Sequence, residues 1–247
     1  MTSQRVGVPE FLASEVVFDQ LTRDRAAELI GRYPVDRSAL LPLLHLVQSV
    51  EGFVSQPGIE FCAEQLDLTA AEVSAVATFY TMYKRHPCGE HLVSVCTNTL
   101  CAALGGDAIF SSLSAHLGVG HDETAGYPGD PGSITLESAE CLAACDYAPV
   151  LQVNYEFYDN QSPDGALDLV RSLQRGERPD PTRGASLTDL RTAELEIAGV
   201  SPGRRDQVDG PSQSPPTLRG NVLAEQSHLH APVMPEHYDM PPLPEKK

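Results

Sequence analysis

The chain has 247 residues, of which 17 are Lys or Arg and 34 are Asp or Glu, so its formal net charge is −17 at pH 7. This excess of negative charge argues against nucleic acids and anionic membrane surfaces as partners, because both carry charge of the same sign. No stretch approaches the roughly 18–20 apolar residues that span a bilayer, and the first residues lack the basic and apolar regions of a secretory signal.

The first part of the chain, residues 1–88, is predicted to be a small bundle of helices. Apolar residues recur there at helical spacing in four segments with short joints between them. The segments are Thr22 to Tyr33, Asp36 to about Gly52, Ile59 to Leu66, and a helix that begins after Thr69. Thr69 and Glu72 have the spacing of a capping box, in which each side chain bonds the backbone N–H of the other residue. Short joints between consecutive helices favour antiparallel packing.

The second part, residues 89–176, is predicted to be a thioredoxin-like α/β domain with a mixed sheet. Short apolar runs predict four strands, and two longer segments have helical spacing. The strands are His91 to Val95, Ser133 to Leu136, Val150 to Val153 and Tyr155 to Phe157, and the helices are Leu100 to Leu117 and Ser162 to Leu173. The expected fold class is therefore α+β, with the helical bundle ahead of the sheet-containing domain.

The third part, residues 177–247, is predicted to be a linker and an extended, Pro-rich tail. Nine of the 20 prolines lie between Ser201 and Lys247, and the apolar residues there are sparse and show no period. Such a segment buries too little surface to offset the entropy of ordering it, so we expect it to be ordered only against a partner. A helix near Asp189 to Ile197 is the one regular element expected within the linker.

Six cysteines in a chain without an export signal favour metal or redox chemistry over disulfides. Four of them form two close pairs, Cys96 with Cys101 and Cys141 with Cys145. Each pair follows a predicted strand, so the loops at the strand ends would bring four thiolates to one edge of the sheet. Four thiolates are a soft, anionic ligand set that suits either zinc or an iron–sulfur cluster.

The spacing of the cysteines leaves both of these metals open. A dithiol oxidoreductase would have a C-x-x-C motif and a plant-type ferredoxin would have C-x4-C-x2-C, and neither is present. A structural zinc site tolerates spacings of up to four residues within a pair. Cys62 is expected in the helical core and Cys88 on a turn, both without a ligand role. A Rieske-like site using His86 and His91 would need Cys-x-His pairs, which are missing.

No catalytic constellation is visible, and we assign no catalytic residue. The sequence has no G-x-S-x-G, H-E-x-x-H, P-loop or G-x-G-x-x-G motif. A protein that only carries electrons needs no acid, base or nucleophile of its own. It needs a redox centre near its surface and a face on which a partner docks.

Three segments of the sequence resemble a known family. They are Ala77 to Tyr83 (ATFYTMY), Val95 to Cys101 (VCTNTLC) and Glu140 to Pro149 (ECLAACDYAP). With the sequence around them, from about residue 15 to 175, they closely resemble the family of E subunits of bacterial NADH-quinone oxidoreductase, which is respiratory complex I. Members of this family contain a thioredoxin-like [2Fe-2S] ferredoxin domain.

The resemblance implies a cofactor, its ligands and two partners. It implies one [2Fe-2S] cluster, held by Cys96, Cys101, Cys141 and Cys145, that exchanges electrons with FMN. In this family the FMN and the NADH site lie on the F subunit, and the G subunit is a second neighbour. The chain would then be a non-catalytic, electron-carrying subunit of a proton-translocating enzyme, and alone it would oxidise no NADH.

The resemblance also implies a location and leaves alternatives. The chain would be a peripheral part of a membrane complex, on the cytoplasmic side of the bacterial inner membrane, and would meet the membrane only through that complex. Similar subunits serve NAD-linked formate dehydrogenases and NAD-reducing hydrogenases. Two further alternatives are a free ferredoxin and an interaction module in which four cysteines bind a structural zinc ion. Metal content and co-purification would distinguish them. The Pro-rich tail departs from the short members of the family.

Overall fold

The N-terminal part of the chain is a bundle of four α-helices in the computed structural model, which describes residues 11–201, 203 and 215–229. The helices are α1 Gln20–Ile30, α2 Leu40–Glu51, α3 Gln56–Leu66 and α4 Ala70–Phe79, and a 3-10 turn, Asp36–Ala39, precedes α2. The predicted helical bundle is therefore confirmed. The first helix begins and ends earlier than predicted, because Asp19 caps its N-terminus and Gly31 closes its last turn.

Side-chain caps determine where three of these helices begin. Asp19 and Ser55 each accept a hydrogen bond from an N–H group in the first turn of the helix that follows. The predicted capping box is confirmed, since the Glu72 N–H donates to Thr69 Oγ1 at 3.3 Å and the Thr69 N–H donates to Glu72 Oε2 at 3.1 Å. These bonds satisfy N–H groups that have no partner inside a helix.

A five-stranded mixed sheet follows the helices. Its strands are β1 His91–Cys96, β2 Glu123–Ala125, β3 Ile134–Ala139, β4 Leu151–Val153 and β5 Glu156–Tyr158, arranged in the order β2-β3-β1-β4-β5. β1 and β3 are parallel, and the other neighbouring pairs are antiparallel. The thioredoxin-like mixed sheet is therefore confirmed. β2 was not predicted, because three partly exposed residues carry no readable period.

Three helices accompany the sheet. They are α5 Thr99–Ala103, α6 Gly106–Leu117 and α7 Pro163–Gln174. The prediction of one continuous helix from Leu100 to Leu117 is wrong at Gly105, whose φ of +116° breaks the helix between α5 and α6. The start of α7 is as predicted, since the Ser162 side chain accepts a hydrogen bond from the Gly165 N–H and Pro163 occupies the first turn. Helix α6 packs against α7, β1 and β3.

The segment after α7 packs onto the rest of the structure, which corrects the prediction that residues 177–200 are only a linker. Helix α8, Leu190–Ile197, lies close to the expected position and packs against α2. Ala185, Leu187 and Leu190 are all less than 10% exposed. The prediction missed this packing because each apolar side chain finds a partner far away in sequence, which a local period does not reveal.

The chain divides into two compact units, Met1–Ser212 and Gln213–Lys247. Within the second unit the structure has a helix, α9, at Pro215–Gln226, with no buried residue. The expected extended tail is therefore corrected over these residues. Their sequence contains several good helix formers, and the two prolines lie in the first turn, where a missing N–H is tolerated. The remainder of the expected tail lies outside the described residues.

Among the described residues, no helix has both the length and the apolar character needed to cross a membrane.

Candidate metal centre

The first cysteine pair lies at the end of β1. Cys96 is the last residue of the strand and Cys101 lies in the short helix α5, whose N-terminus is capped by Asn98. The Cys96 N–H donates to the carbonyl oxygen of Val150 at 3.1 Å, and the Cys96 thiol donates to the carbonyl oxygen of Glu140 at 3.3 Å. Both cysteines are almost fully buried, so this pair forms the inner side of the site.

The second pair lies on the loop that follows β3. Because β1 and β3 are parallel and Cys96 is in register with Ala139, the chain leaves both strands at the same edge of the sheet. Cys141 and Cys145 are both exposed. Between them Ala143 has a φ of +55°, so the loop turns sharply between the two cysteines. This second pair forms the outer side of the site.

Hydrogen bonds tie the two loops together. The Thr97 N–H donates to the Ala139 carbonyl oxygen at 2.9 Å, and the hydroxyls of Thr97 and Ser138 lie 2.8 Å apart. These contacts extend the pairing of β1 and β3 by one step toward the cysteines. The sequence pattern placed each pair after a strand, and the structure shows that the parallel pairing is what brings the pairs together.

Glycine at position 106 allows a close approach of backbone at the site. A Cβ built on Gly106 would lie 2.9 Å from the carbonyl oxygen of Cys101 and nearer still to that of Cys96. Any other residue would therefore displace the backbone that carries the first cysteine pair. The crowding is specific to Gly106, because nothing lies within 4 Å of a Cβ built on the neighbouring Gly105.

The pKa values of two of the thiols, those of Cys101 and Cys145, respond to neighbouring cysteines. The pKa of Cys101 is raised to about 11, chiefly by burial and then by the neighbouring Cys96 and Cys145, while the Val150 N–H acts in the opposite direction. The pKa of Cys145 is also raised, by desolvation and then by Cys141 and Cys96. Four acidic groups in one place resist ionisation unless a cation compensates their charge, and a bound metal does so by displacing their protons.

The donor set therefore fits a thiolate-bound metal centre. Backbone N–H groups of Val150 and Cys145 contact the thiols of Cys101 and Cys145 and lower their pKa values, which favours thiolates. The partner within each pair acts in the opposite direction, since Cys96 raises the pKa of Cys101 and Cys141 raises that of Cys145. The side chains as they stand do not surround a single metal position, since no three or more His, Cys, Asp or Glu side chains are so arranged across residues 11–201, 203 and 215–229. The fit therefore rests on the chemistry of the four thiols and on the shared edge of the sheet at which the two pairs lie.

Apolar residues cover the inner side of the site. The two buried cysteines pack with Ala144, Tyr147 and Val150, and further side chains complete this cluster. The additional members are Leu142, Ala148 and Phe157. Water is thereby kept from the inner sulfurs, while the outer pair faces the surface.

The two remaining cysteines lie apart from the four. Cys62 is fully buried in the core of the helical bundle, as predicted, and burial raises the pKa of its thiol strongly. Cys88 is buried beside Leu92 and Leu190, and burial raises its pKa to about 12. Cys88 was predicted on a turn, and the structure adds that its side chain is buried.

A polar network near Cys141 was missed by the sequence analysis. Lys84 is only 4% exposed, and its Nζ donates to Glu137 Oε1 at 2.7 Å and to Asp122 Oδ1 at 3.2 Å. Burial lowers the pKa of Lys84, but the two carboxylates outweigh it and the net shift is upward. These residues and Cys141 line a cavity of about 1000 Å³. No local signal identified Lys84, because both of its partners are distant in sequence.

Comparisons with known proteins agree with this architecture. The sequence model of the thioredoxin-like [2Fe-2S] ferredoxin family matches residues 26–174. The E subunit of the NADH-quinone oxidoreductase of Mycobacterium bovis is 55% identical over 210 residues, which cover 85% of this chain and 81% of that protein. The E subunit from Rickettsia bellii is 36% identical over 160 residues, covering 64% of this chain and 93% of that protein.

Similarity to solved structures is weaker. An NAD+-reducing [NiFe]-hydrogenase in the air-oxidized state is 15% identical with a TM-score of 0.47, covering 54% of this chain and 23% of that one. That similarity is too low to support any conclusion about function. The family match covers more than half of the chain, and the Mycobacterium protein is similar over most of both lengths. The chain therefore belongs to the thioredoxin-like [2Fe-2S] ferredoxin family and, within it, to the E subunits of NADH-quinone oxidoreductases.

Proposed function

We propose that the chain is the electron-transfer subunit of an NADH-quinone oxidoreductase and binds one [2Fe-2S] cluster through Cys96, Cys101, Cys141 and Cys145. The observation that carries this proposal is that the two cysteine pairs follow parallel strands, β1 and β3, that end at the same edge of the sheet, where Cys145 influences Cys101. The family to which the chain belongs supports the identity of the cluster, and the grouping of the thiols supports the choice of ligands.

The residues of the site act by holding charge and by excluding water. When bound, a [2Fe-2S] cluster accepts and releases one electron. The N–H groups of Val150 and Cys145 stabilise negative charge on sulfur, which eases the addition of a further negative charge. Tyr147 and Val150 shield the inner sulfurs. The exposed side, where Cys141 and Cys145 lie, would be the face open to an electron-transfer partner.

The proposal includes partners and a location. The F subunit would carry FMN and bind NADH, and it would dock over the exposed cysteines, while the G subunit would be a second neighbour. The complex would be proton-translocating, and the chain would be a peripheral part of it on the cytoplasmic side of the bacterial inner membrane. The name of the 55% identical Mycobacterium protein supports membership of such a complex.

Metal analysis of the full-length chain, purified without oxygen, tests the cofactor. We expect two irons and two inorganic sulfides per chain, a brown colour, and a rhombic EPR signal after reduction with dithionite. A colourless protein that contains zinc and no sulfide would contradict the proposal and favour the zinc-stapled module.

Single Cys→Ser substitutions test the ligand set. Substitution of Cys96, Cys101, Cys141 or Cys145 should remove the visible absorption, because each would provide one sulfur ligand. Cys62→Ser and Cys88→Ser are the matched controls, since both thiols are buried elsewhere in the structure, and their spectra should match the wild type. Bleaching in either control would show that the ligand set is wrong.

Co-purification tests the partner. A tagged chain, isolated from its native cells, should bring down a flavoprotein and membrane subunits, and NADH should reduce the cluster in that complex but not in the isolated chain. Recovery of formate dehydrogenase or hydrogenase subunits instead would select one of those enzymes. Recovery of the iron-loaded chain alone would favour a free ferredoxin.

A further inference from the structure

The segment that follows α7 forms an extra edge on the cluster-bearing domain. It lies beyond residues 26–174, which the family model matches. The Thr182 N–H donates to the Phe157 carbonyl oxygen at 2.9 Å, and the Thr182 hydroxyl bonds Asp159 Oδ2 at 2.8 Å. Arg183 pairs with Phe157 as an isolated antiparallel β-bridge. The segment thus adds a short strand-like contact beside β5.

Arg183 is the side chain that this contact places inward. Its Nε and one terminal nitrogen bond the two carboxylate oxygens of Asp159 at 2.9 and 3.2 Å. Its guanidinium carbon lies 4.0 Å from the centre of the Phe157 ring and 5.0 Å from that of Tyr147. Arg183 and Asp159 are only 17% and 6% exposed at their side chains. A planar guanidinium suits this combined stacking and two-point pairing, whereas an ammonium group does not.

The two rings connect Arg183 to the cysteines. Tyr147 ends the 3-10 turn Cys145–Tyr147, so it is carried by the same turn as one candidate ligand. Tyr147 and Phe157 both belong to the apolar cluster that contains Cys96 and Cys101. The Tyr147 and Phe157 rings therefore connect the guanidinium to the apolar cluster that contains the buried cysteine pair.

We propose that Arg183 is a positioning residue for the cysteine site, where it holds the turn Cys145–Tyr147 against β5 and places a positive charge behind the thiolates. This inference rests on the proposed function, because it concerns the cluster that the thiolates would hold. Two ferric ions, two sulfides and four thiolates together carry a charge of −2. Reduction by one electron changes the charge of the cluster to −3. A nearby cation favours the more negative state, so Arg183 raises the reduction potential and Asp159 opposes it.

Redox titration of the iron-loaded, full-length protein, followed by EPR, tests this role. Arg183→Gln should shift the midpoint potential to a more negative value. Arg183→Lys keeps the charge but loses the stacking and the two-point pairing, so its potential should lie between those of Arg183→Gln and the wild type. Asp159→Asn removes the opposing charge and should shift the potential to a more positive value. Opposite shifts from the two partners of one ion pair are a signature that a purely structural role does not produce.

Arg178→Gln is the matched control. Arg178 lies in the same segment and its substitution removes the same unit of charge, but it pairs with Glu90 at 3.2 Å and is 46% exposed. Glu90 directly precedes β1, and Cys96 is the last residue of that strand. The length of the strand, about 16 Å, therefore separates Glu90 from Cys96. Solvent and distance screen this charge, and the potential should match that of the wild type.

The outcomes separate this inference from the proposed function. An iron-loaded Arg183→Gln protein with the wild-type potential would overturn the role of Arg183, as would an equal shift in Arg178→Gln. If the Arg183→Gln protein does not retain iron, the Asp159→Asn protein provides the test. An unchanged midpoint potential in Asp159→Asn would then overturn the proposed role of Arg183. A wild-type protein without iron would instead overturn the proposed function itself.

Discussion

Glycine at position 106 lies where two cysteine-bearing backbone segments meet the start of α6. A Cβ at this position would crowd the carbonyl oxygens of Cys96 and Cys101. Neither residue can give way by rotating a flexible side chain, because the obstructing atoms are backbone. The absence of one methyl group therefore determines how closely α6 approaches the site.

We expect Gly106→Ala to lower the free energy of unfolding by about 1–3 kcal/mol, which is the usual cost of overpacking. The iron content per chain should fall with it. Urea unfolding and metal analysis measure both. Gly31→Ala is the control, because Gly31 has a φ of −61° at the end of α1 and its Cβ would be 3.4 Å from the nearest atom. Equal losses in the two variants would contradict the argument from crowding.

At the scale of elements, the joint between α4 and β1 is tied to the sheet by charged groups. His86 lies in this joint, and its Nε2 lies 2.8 Å from Oδ2 of Asp122, which precedes β2. This contact raises the pKa of His86, and the same contact is the main cause that lowers the pKa of Asp122. Lys84 in the same joint reaches Asp122 and Glu137.

The sign of each pKa shift sets the pH range in which this contact stabilises the fold. The raised pKa of His86 contributes stability that is full below about 6.5 and lost as pH rises through the folded value. The lowered pKa of Asp122 contributes stability above about 3.9 that is lost as pH falls toward its folded value. The contact therefore stabilises most between about pH 4 and 6.5.

We expect His86→Gln to lower the free energy of unfolding by up to about 1 kcal/mol at pH 5.5 and by less at pH 9, since the pair is partly exposed. Urea unfolding at the two pH values measures the difference. His116→Gln serves as the control, because His116 lies 3.1 Å from the neutral amide of Gln174. A loss for His86→Gln that is larger at pH 9 would contradict the prediction.

Helix α8 joins two parts of the fold through one buried carboxylate. Glu194 is fully buried, its Oε2 lies 2.5 Å from His45 Nδ1 on α2, and its Oε1 accepts from the Tyr155 hydroxyl at 2.6 Å. Tyr155 lies in the turn between β4 and β5, so a single side chain links the helical bundle, α8 and the sheet.

Glu194→Ala should lower the free energy of unfolding by about 2–4 kcal/mol, because it leaves two buried polar groups without their partner. Chemical denaturation of the full chain measures this loss. Glu28→Ala provides a comparison, since Glu28 pairs with Arg32 but is 68% exposed, and the loss there should be below about 0.5 kcal/mol. Similar losses of unfolding free energy in the two variants would contradict the prediction that the buried contact contributes more to stability than the exposed one.

For the whole molecule, the segment beyond the family match is part of the folded core up to α8. Leu187 and Leu190 are buried, as are Ala193 and Ala198. Each buried leucine contributes roughly 1.5–3 kcal/mol, and domains are stable by only about 5–15 kcal/mol. In contrast, α9 has no buried residue.

Two truncations separate these segments. Removal of residues 175–247 should destabilise the protein by about 5 kcal/mol or more, because it exposes the leucines and removes Glu194. Removal of residues 213–247 should change the free energy of unfolding by less than about 1 kcal/mol, because the helix it removes buries no side chain. Thermal and urea unfolding measure both effects. A stable protein that lacks residues 175–247 would contradict the packing of this segment.

Most elements could be predicted because their signals are local. The helix starts at Thr69 and Ser162 and four of the five strands follow from caps and periodicity, and the structure agrees. The break at Gly105 was missed because a single glycine within a helical pattern does not reveal its φ. The packing of α8 was missed because its partners on α2 are about 150 residues away.

The amino-acid sequence by itself determined the composition of the candidate site, which is four cysteines in two pairs that each follow a strand in the chain. The sequence also resembles a known family closely enough to identify it. Only the tertiary structure decided that the first pair is buried and the second exposed, and that Gly106, Lys84 and Arg183 surround them. The physical reason is the range of the interactions. Caps and periods act within a few residues, whereas parallel pairing, ion pairs and ring contacts join residues that only the folded chain brings together.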